Sequence, residues 1–302
     1  MTYNAGLGGR LAPHTVCTAT MLPLSLENPL AYCREKVCPD LSSLHYATLF
    51  QPETDKAFWL GLFTLNHELR AASIKQMDMG LVQVKLGWWR NALAGALDNS
   101  NPHPVIAALN PRLVGAVDPE NWPVLIESVV SSCEPRRYNS MADWSHHLGT
   151  AITPWLPLIA QRVGLHSQAG YSALRDFWTA STQLCQLLRT AKYLDVNFQP
   201  VPLDILRQFN VTAEQIKQRR HDEGTLQVFN EVGRQTMGSA NRAWKAMPAE
   251  LRLFCRPLRT LFRMRVAEFR KHGKTATWLS EQKVLSPLKK FTLAWTTQVL
   301  RW

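Results

Sequence analysis

Cysteine and histidine, the side chains that most often bind transition metals, are present in this sequence but are not grouped as a metal site. The six cysteines, at positions 17, 33, 38, 133, 185 and 255, form no Cys-x-x-Cys pair. The two histidines His146 and His147 are adjacent, so on a helix they point to different faces. A structural zinc site needs four converging ligands. We therefore expect buried free thiols in a reducing compartment and no metal or other cofactor.

A second group of polar residues has the chemistry to bind an anion. Asn66, Glu68 and Arg70 occupy alternate positions of one segment. A guanidinium can hold two phosphate oxygens at once, so Arg70 is a candidate ligand. A buried Asn66 with satisfied hydrogen bonds is an equal alternative to a functional one, and Glu68 can instead form an ion pair with Arg70 or Lys75.

The third feature is a pair of adjacent tryptophans, Trp88 and Trp89, followed by Arg90. Aromatic residues at helical spacing usually belong to the core, so packing is the expected role of the pair. A platform for a ligand is the alternative.

Positive charge is concentrated near the C-terminus. The chain has a formal net charge of +11, and residues 251–302 contain twelve Lys and Arg against two acids. These cations recur among apolar residues, as in a basic amphipathic helix. We expect this face to bind an anionic membrane surface or a protein partner, and a merely solvated surface is the alternative. Its candidate residues are Arg256, Arg259, Arg263, Arg270, Lys274, Lys289 and Lys290. Nucleic-acid binding is not expected, because no recognisable motif accompanies the charge.

The elements that position these residues are predicted to be helices, since helical periodicity begins at residue 27 and no series of alternating strands follows. One helix should begin at Thr54 or Asp55, a second at Met79 or Gly80, and a third at Asp118-Pro119. The second should bury Val82, Leu86, Trp89, Leu93 and Leu97, and the third Trp122, Leu125, Ile126, Val129 and Cys133. Further helices are predicted over 141–163, 169–193, 212–245, 248–272 and 276–301, with a capping box at Thr212 and Gln215.

Composition indicates a folded protein with a large core, because 46% of the residues are apolar and 11 are tryptophan. We predict an irregular arm over residues 1–24 and a single helical domain over 25–302. No segment reads as a membrane span or a secretory signal. A cytoplasmic location follows, with the membrane surface left open.

Several of these segments together resemble the squalene/phytoene synthase family, over roughly residues 45–300. The resemblance rests on Asn66-His67-Glu68-Leu69, on Leu86-Gly87-Trp88-Trp89-Arg90-Asn91-Ala92-Leu93, and on His103-Pro104-Val105 at the opening of the next helix. It continues in the segment 182–189, which contains Gln183 and Arg189, and in 200–211. Within the family the sequence looks most similar to the branch of mitochondrial complex I assembly factors and their bacterial relatives. The resemblance implies an all-α isoprenoid-synthase fold, a helical bundle around a central cavity.

Active members of that family bind two prenyl diphosphates through Mg²⁺ and two aspartate-rich helices. Carboxylates one helical turn apart would bridge the metal to the diphosphate. In this sequence Arg70 and Ala71 stand where the first motif is expected, and the second expected position reads Thr190 to Leu194. Asp195 follows, but Ala191 stands one turn before it. The resemblance therefore implies a family member in which neither of the two metal-binding motifs is present.

Three functional hypotheses follow from these observations. The first is a protein without prenyl-coupling activity that acts as a membrane-associated binding or assembly factor, by analogy for respiratory complex I, with an isoprenoid or lipid as a ligand. It would be cytoplasmic and peripheral on the inner membrane, or on the matrix side in a eukaryote. The second is an active prenyltransferase that uses Mg²⁺ and holds diphosphate through Arg70, Arg90, Arg189 and Lys192. The third, nucleic-acid binding, has the least support.

Overall fold

The computed structural model describes residues 28–73, 79–98, 102–165, 167–195, 200–275, 278–280 and 284–299, and these ranges contain helices and no strand. The predicted N-terminal arm lies outside them. The α-helices are α1 Pro29–Val37, α2 Ser43–Thr48, α3 Glu53–Ala72, α4 Met79–Ala94, α5 Pro104–Leu109, α6 Pro111–Gly115, α7 Asn121–Ser132, α8 Met141–Ile152, α9 Leu156–Val163, α10 Gln168–Leu188, α11 Thr190–Leu194, α12 Leu203–Gln208, α13 Ala213–Lys217, α14 Glu223–Ala246, α15 Ala249–Phe254, α16 Arg256–Thr275 and α17 Pro287–Val299.

Helix starts follow local capping chemistry in part. The predicted capping box is confirmed, because the hydroxyl of Thr212 accepts from the amide of Gln215 and the Gln215 side chain accepts from the amide of Thr212. The predicted start of α3 was wrong: the helix begins at Glu53, after Pro52, without a side-chain cap. The predicted start of α7 was also wrong. Asp118 accepts from the amide of Glu120 at 3.0 Å in a turn that precedes the helix.

Several helices that periodicity predicted as continuous are divided in the structure. Residues 141–163 form α8 and α9, separated by a short 3-10 helix at Thr153–Trp155 that contains Pro154, which cannot donate the backbone hydrogen bond of a helix interior. Residues 212–245 form α13 and α14, and Arg219 between them has a left-handed φ of 55°. The segment 248–272 divides at Cys255, and the last helix begins only at Pro287.

Helix α10 lies at the centre of the C-terminal half, where it packs against α8, α14 and α16. Helix α3 has the corresponding place in the N-terminal half, against α1, α5 and α7. The indole of Trp59 on α3 donates to the carbonyl of Phe254 at 3.3 Å and so links α3 to α15. The polar ends of α3 and α10 are therefore carried on helices that are largely buried.

The apolar stripe of α4 is buried as predicted from Val82 to Leu93, but Leu97 is 62% exposed. The helix ends at Ala94, so the stripe does not continue. Cys133 is exposed for the same reason, since it lies just beyond α7, and Cys185 is half-buried. Burial is confirmed for the thiols of Cys33, Cys38 and Cys255. None of the helices in the described ranges is both long and apolar enough to span a bilayer.

Candidate functional site

The end of α3 carries the first candidate ligand. Arg70 lies in the last turn of α3, is exposed, and donates to the hydroxyl of Ser132 on α7 at 3.1 Å. Asn66 is half-buried one turn earlier. Residues four apart share a helix face, so Asn66 and Arg70 belong to the same side of α3.

The junction of α10 and α11 carries the second. Arg189 is the C-cap of α10 and bonds to the hydroxyl of Tyr193. Burial raises the pKa of Tyr193, Cys185 adds to the rise, and the positive charges of Arg189 and then Arg70 oppose it. Because Arg70 on α3 is close enough to act electrostatically on Tyr193 on α11, the ends of α3, α10 and α11 lie near one another.

Helix α16 brings an acid near Arg189. Burial raises the pKa of Glu268, against the opposing effect of the cations Arg265, Lys290 and Arg189. We call Arg70, Cys185, Arg189, Tyr193 and Glu268 the interior cluster; its two arginines reach solvent, and its other three residues are half-buried. Its two guanidiniums give it the chemistry to hold an oxyanion such as a phosphate.

The interior cluster does not have the donors that a Mg²⁺-diphosphate complex requires. Mg²⁺ prefers carboxylate oxygens and water in octahedral geometry. Of the nearby acids, Asp195 pairs with Arg219 and Glu68 bonds away from the cluster to α1. In the part of the chain that the structure describes, no group of three His, Cys, Asp or Glu side chains could hold a metal ion. The donors of the interior cluster therefore do not fit Mg²⁺, the metal that the resemblance described above implies.

Glu68 belongs to a different group, between α1 and α3. Its carboxylate accepts from the hydroxyl of Tyr32 at 3.1 Å and lies 3.5 Å from the ammonium of Lys36. Burial is the main cause that raises the pKa of Tyr32, and Glu68 adds to it. Of the open alternatives, the structure therefore favours an ion pair for Glu68, although with Lys36 and not with Arg70; Lys75 lies outside the described residues.

The tryptophan pair adjoins this group. The rings of Trp88 and Trp89 each lie within 5.5 Å of the imidazole of His103, and the Tyr32 ring lies 5.3 Å from the same imidazole. Trp89 is buried and Trp88 is 49% exposed. His103 caps α5 through Nδ1, which accepts from the amide of Val105 at 3.3 Å. Side chains from α1 and α4 thus pack around one histidine at the start of α5, with half-exposed Trp88 at the surface.

The remaining cavity candidates lie apart. Gln183 is buried and donates to the hydroxyl of Ser145 at 2.9 Å, so it joins α10 to α8. It also lines a surface groove of about 820 Å³ between α8, α10 and α14. Arg90 and Lys192 are exposed on α4 and α11.

The C-terminal basic residues do not form one open amphipathic face. Helix α16 buries Leu258, Phe262 and Phe269 against the protein, so its apolar side is not available to another surface. Lys290 is buried and donates to the carbonyl of Leu41 at 2.9 Å. Exposed positions include Arg270 and Lys289, whereas the side chain of Lys274 lies outside the described residues.

The other three arginines of that set lie together. Arg256, Arg259 and Arg263, joined by Arg252, line an open groove of about 1080 Å³ between the end of α14, α15, α16 and α17. Glu250 also lines it. Burial lowers the pKa of Arg259 to about 10, and neighbouring Arg263 contributes. We call this the arginine groove.

Sequence reasoning missed Tyr193, Cys185 and Glu268 as members of the interior cluster. Tyr193 stands one helical turn after Arg189, in the segment where the expected motif predicts carboxylates. Glu268 was counted as one of two acids in a basic region, and nothing in the sequence indicated that α16 carries it to the end of α10.

The fold defined by these helices is the all-α isoprenoid-synthase fold. The crystal structure of squalene synthase HpnC from Alicyclobacillus acidocaldarius matches with a TM-score of 0.65 and 16% identity, over 84% of this chain and 97% of that one. A dehydrosqualene synthase in complex with ligand matches with a TM-score of 0.70 and 11% identity, over 91% and 97% of the two chains.

Sequence comparison identifies the family. The family model for squalene/phytoene synthase matches residues 47–289. The chain belongs to the squalene/phytoene synthase family, as its motifs indicated. A comparison with curated proteins gives no match.

Proposed function

We propose that this family member binds an anionic isoprenoid or lipid without coupling prenyl groups, and that it acts at a membrane surface as a binding or assembly factor. The observation that carries the proposal is the interior cluster. It presents Arg70 and Arg189 where the family's chemistry needs paired carboxylates and Mg²⁺.

Two guanidiniums favour binding of a prenyl diphosphate over departure of its diphosphate group. A bound metal ion stabilises the charge on the departing diphosphate as a Lewis acid. Arginine supplies charge and directional hydrogen bonds, so it can hold the phosphate oxygens and orient a ligand. Arg189 is fixed by Tyr193 and Arg70 by Ser132, so both are oriented before a ligand arrives.

The assembly part of the proposal rests on the resemblance to complex I assembly factors. The family itself is a group of prenyl transferases, and an active transferase is the second candidate. The solvent-accessible arginines at the ends of α3 and α10 support an active transferase only in one respect, as ligands for its diphosphate substrate.

The deciding experiment incubates the full chain with farnesyl or geranylgeranyl diphosphate and Mg²⁺ and measures released pyrophosphate. We expect no release above a protein-free blank. In parallel, binding of farnesyl diphosphate is measured by calorimetry in EDTA. Arg189→Gln should weaken binding about tenfold or more, since a charge-assisted hydrogen bond contributes about 1.5–3 kcal/mol. The matched control is Arg207→Gln, an exposed arginine on α12.

Sustained turnover that EDTA abolishes would contradict the proposal and establish a transferase. Absence of turnover together with absence of binding would contradict the ligand part of the proposal.

A further inference from the structure

The last helix, α17, has two opposite faces of different character. Its inner face is formed by Lys290, Ala294 and Thr297, which are buried against the protein. On the outside, four large apolar side chains are exposed, at spacings of three, four and four residues. They are Leu288, Phe291, Trp295 and Val299. At 100° per residue these four fall within one side of the helix, opposite the buried side.

This apolar face is unusual for a helix that is otherwise packed. Leu288 is 75% exposed and Trp295 50%. Phe50, in the turn after α2, extends the surface, since its ring lies 5.7 Å from that of Phe291. Contiguous exposed apolar surface of this kind marks an interaction site.

The arginine groove adjoins the same helix. Val299 lines the groove, so the apolar face and the groove meet at the C-terminal end of α17. Arg263 donates to the hydroxyl of Thr297 at 2.7 Å, and Arg256 donates to the side-chain oxygen of Gln298 at 3.0 Å. Cations and apolar side chains are therefore held on one rigid edge of the protein.

The arginines of the groove are oriented by neutral partners. Arg259 donates to the side-chain oxygen of Asn241 at 3.1 Å and lies over the rings of Trp244 and Phe262. No carboxylate forms a salt bridge with any of the four arginines within the described ranges. Each guanidinium has five N–H donors, so donors remain for an external anion.

Apolar and aromatic side chains beside a groove lined by four arginines and one acid, Glu250, fit the interfacial layer of an anionic bilayer. There, tryptophan and phenylalanine enter the boundary between headgroups and acyl chains, and arginine contacts the phosphates. We propose that the exposed apolar face of α17 enters an anionic lipid surface while the arginine groove binds headgroup phosphates. This inference rests on the membrane association in the proposed function and identifies the residues that produce it.

The test uses the full chain and co-sedimentation with vesicles of phosphatidylcholine alone and of phosphatidylcholine mixed with phosphatidylglycerol. We expect binding only to the anionic vesicles. The double variant Arg252→Gln and Arg256→Gln should weaken it about 25-fold, at about fivefold per cation. The matched control replaces Arg112 and Arg207, exposed arginines on α6 and α12, and should change binding little.

A second variant tests the apolar face separately. Phe291→Ser with Trp295→Ser should leave recruitment at low salt but abolish the binding that survives at physiological salt, because screening weakens only the electrostatic part. The matched control replaces two exposed valines elsewhere, Val84→Ser and Val124→Ser. Circular dichroism should show unchanged helix content in every variant, since all these side chains are at the surface.

Three results would overturn the inference. The first is wild-type protein that stays in solution with anionic vesicles at low salt. The second is glycerol phosphate that binds in the groove by calorimetry although vesicles do not, which would assign the groove to a soluble phosphate. The third is a dimer in light scattering that Phe291→Ser with Trp295→Ser dissociates, without vesicle binding, which would assign the face to a second copy. In each case the pyrophosphate assay still decides the absence of prenyl coupling independently.

Discussion

Replacement of Tyr32 by Phe tests whether Glu68 is a structural residue or a ligand. The variant removes the hydroxyl that donates to Glu68 at 3.1 Å and changes little else. A hydrogen bond to a charged group contributes about 1.5–3 kcal/mol. Tyr32 is only half-buried and Lys36 remains 3.5 Å from the carboxylate, so the expected loss is near the lower end, about 1–2 kcal/mol.

Thermal unfolding followed by circular dichroism measures this loss. For a chain of 302 residues, 1–2 kcal/mol corresponds to a Tm lower by about 2–3 °C. The control is Tyr171→Phe, because no hydrogen bond to that hydroxyl is found among the described residues, and its Tm should change by less than about 1 °C. A double-mutant cycle with Glu68→Gln should give a coupling energy of about 1 kcal/mol.

The pH dependence gives an independent check with a defined sign. The pKa of Tyr32 is raised in the folded state above its ordinary value of 10.0, so the folded protein keeps this proton longer than the unfolded chain. The stabilisation is complete below pH 10 and is lost as the pH rises above it. The slope is at most about 1.4 kcal/mol per pH unit, and less where solvent screens the hydroxyl. Tyr32→Phe should remove this part of the alkaline slope.

The reasoning is refuted if Tyr32→Phe behaves like Tyr171→Phe. The hydroxyl would then make no net contribution through Glu68, and the carboxylate would be free to act as a ligand. Binding of farnesyl diphosphate adds a second criterion. Glu68→Gln should leave this binding unchanged if Glu68 only links α3 to α1. Weaker binding at an unchanged Tm would show instead that Glu68 is a ligand.

The remaining predictions concern packing and buried charge. Gly233→Ala should lower the free energy of unfolding by about 1–3 kcal/mol, because a Cβ there would lie 2.0 Å from the ring of buried Phe269. Gly87→Ala has open space and should raise the free energy of unfolding by about 1 kcal/mol. Denaturant unfolding measures both changes, and equal effects of the two substitutions would contradict the packing between α14 and α16. Lys290→Gln should lower the Tm through loss of its bond to a backbone carbonyl but leave vesicle binding nearly unchanged, whereas Lys289→Gln should do the reverse.

The fold could be predicted because apolar periodicity is a local property of the sequence. The stripe from Val82 to Leu93 sets the buried side of α4, and its burial does not depend on which helix packs against it. The ends of the helices were harder to predict from the sequence. Leu97 continues the period although the helix has ended, and Arg219 adopts a left-handed φ without a glycine to indicate the break.

Only those residues of the candidate site that belong to the family's sequence motifs could be predicted. Arg70 and Arg189 were identified from the family's pattern, but their relation to Tyr193 and Glu268 depends on packing between α3, α10, α11 and α16. The partner of Glu68 could not be predicted for the same reason, since Tyr32 lies 36 residues away on another helix. Local spacing shows which residues share a face, and tertiary packing determines what that face meets.

Helix α16 shows why charge alone was an incomplete guide to the C-terminal region. Its composition is that of a basic amphipathic surface helix, yet its apolar side is part of the core and Arg265 donates into α10 at the hydroxyl and carbonyl of Ser181. The cations near its N-terminal end line the arginine groove, whereas Glu268, nine residues after Arg259 and about 14 Å along the axis, reaches the interior cluster. In the proposed membrane contact, the exposed apolar surface comes instead from α17, which contributes few charges. The membrane hypothesis therefore depends on two helices acting together, and variants of α16 alone would test only its electrostatic half.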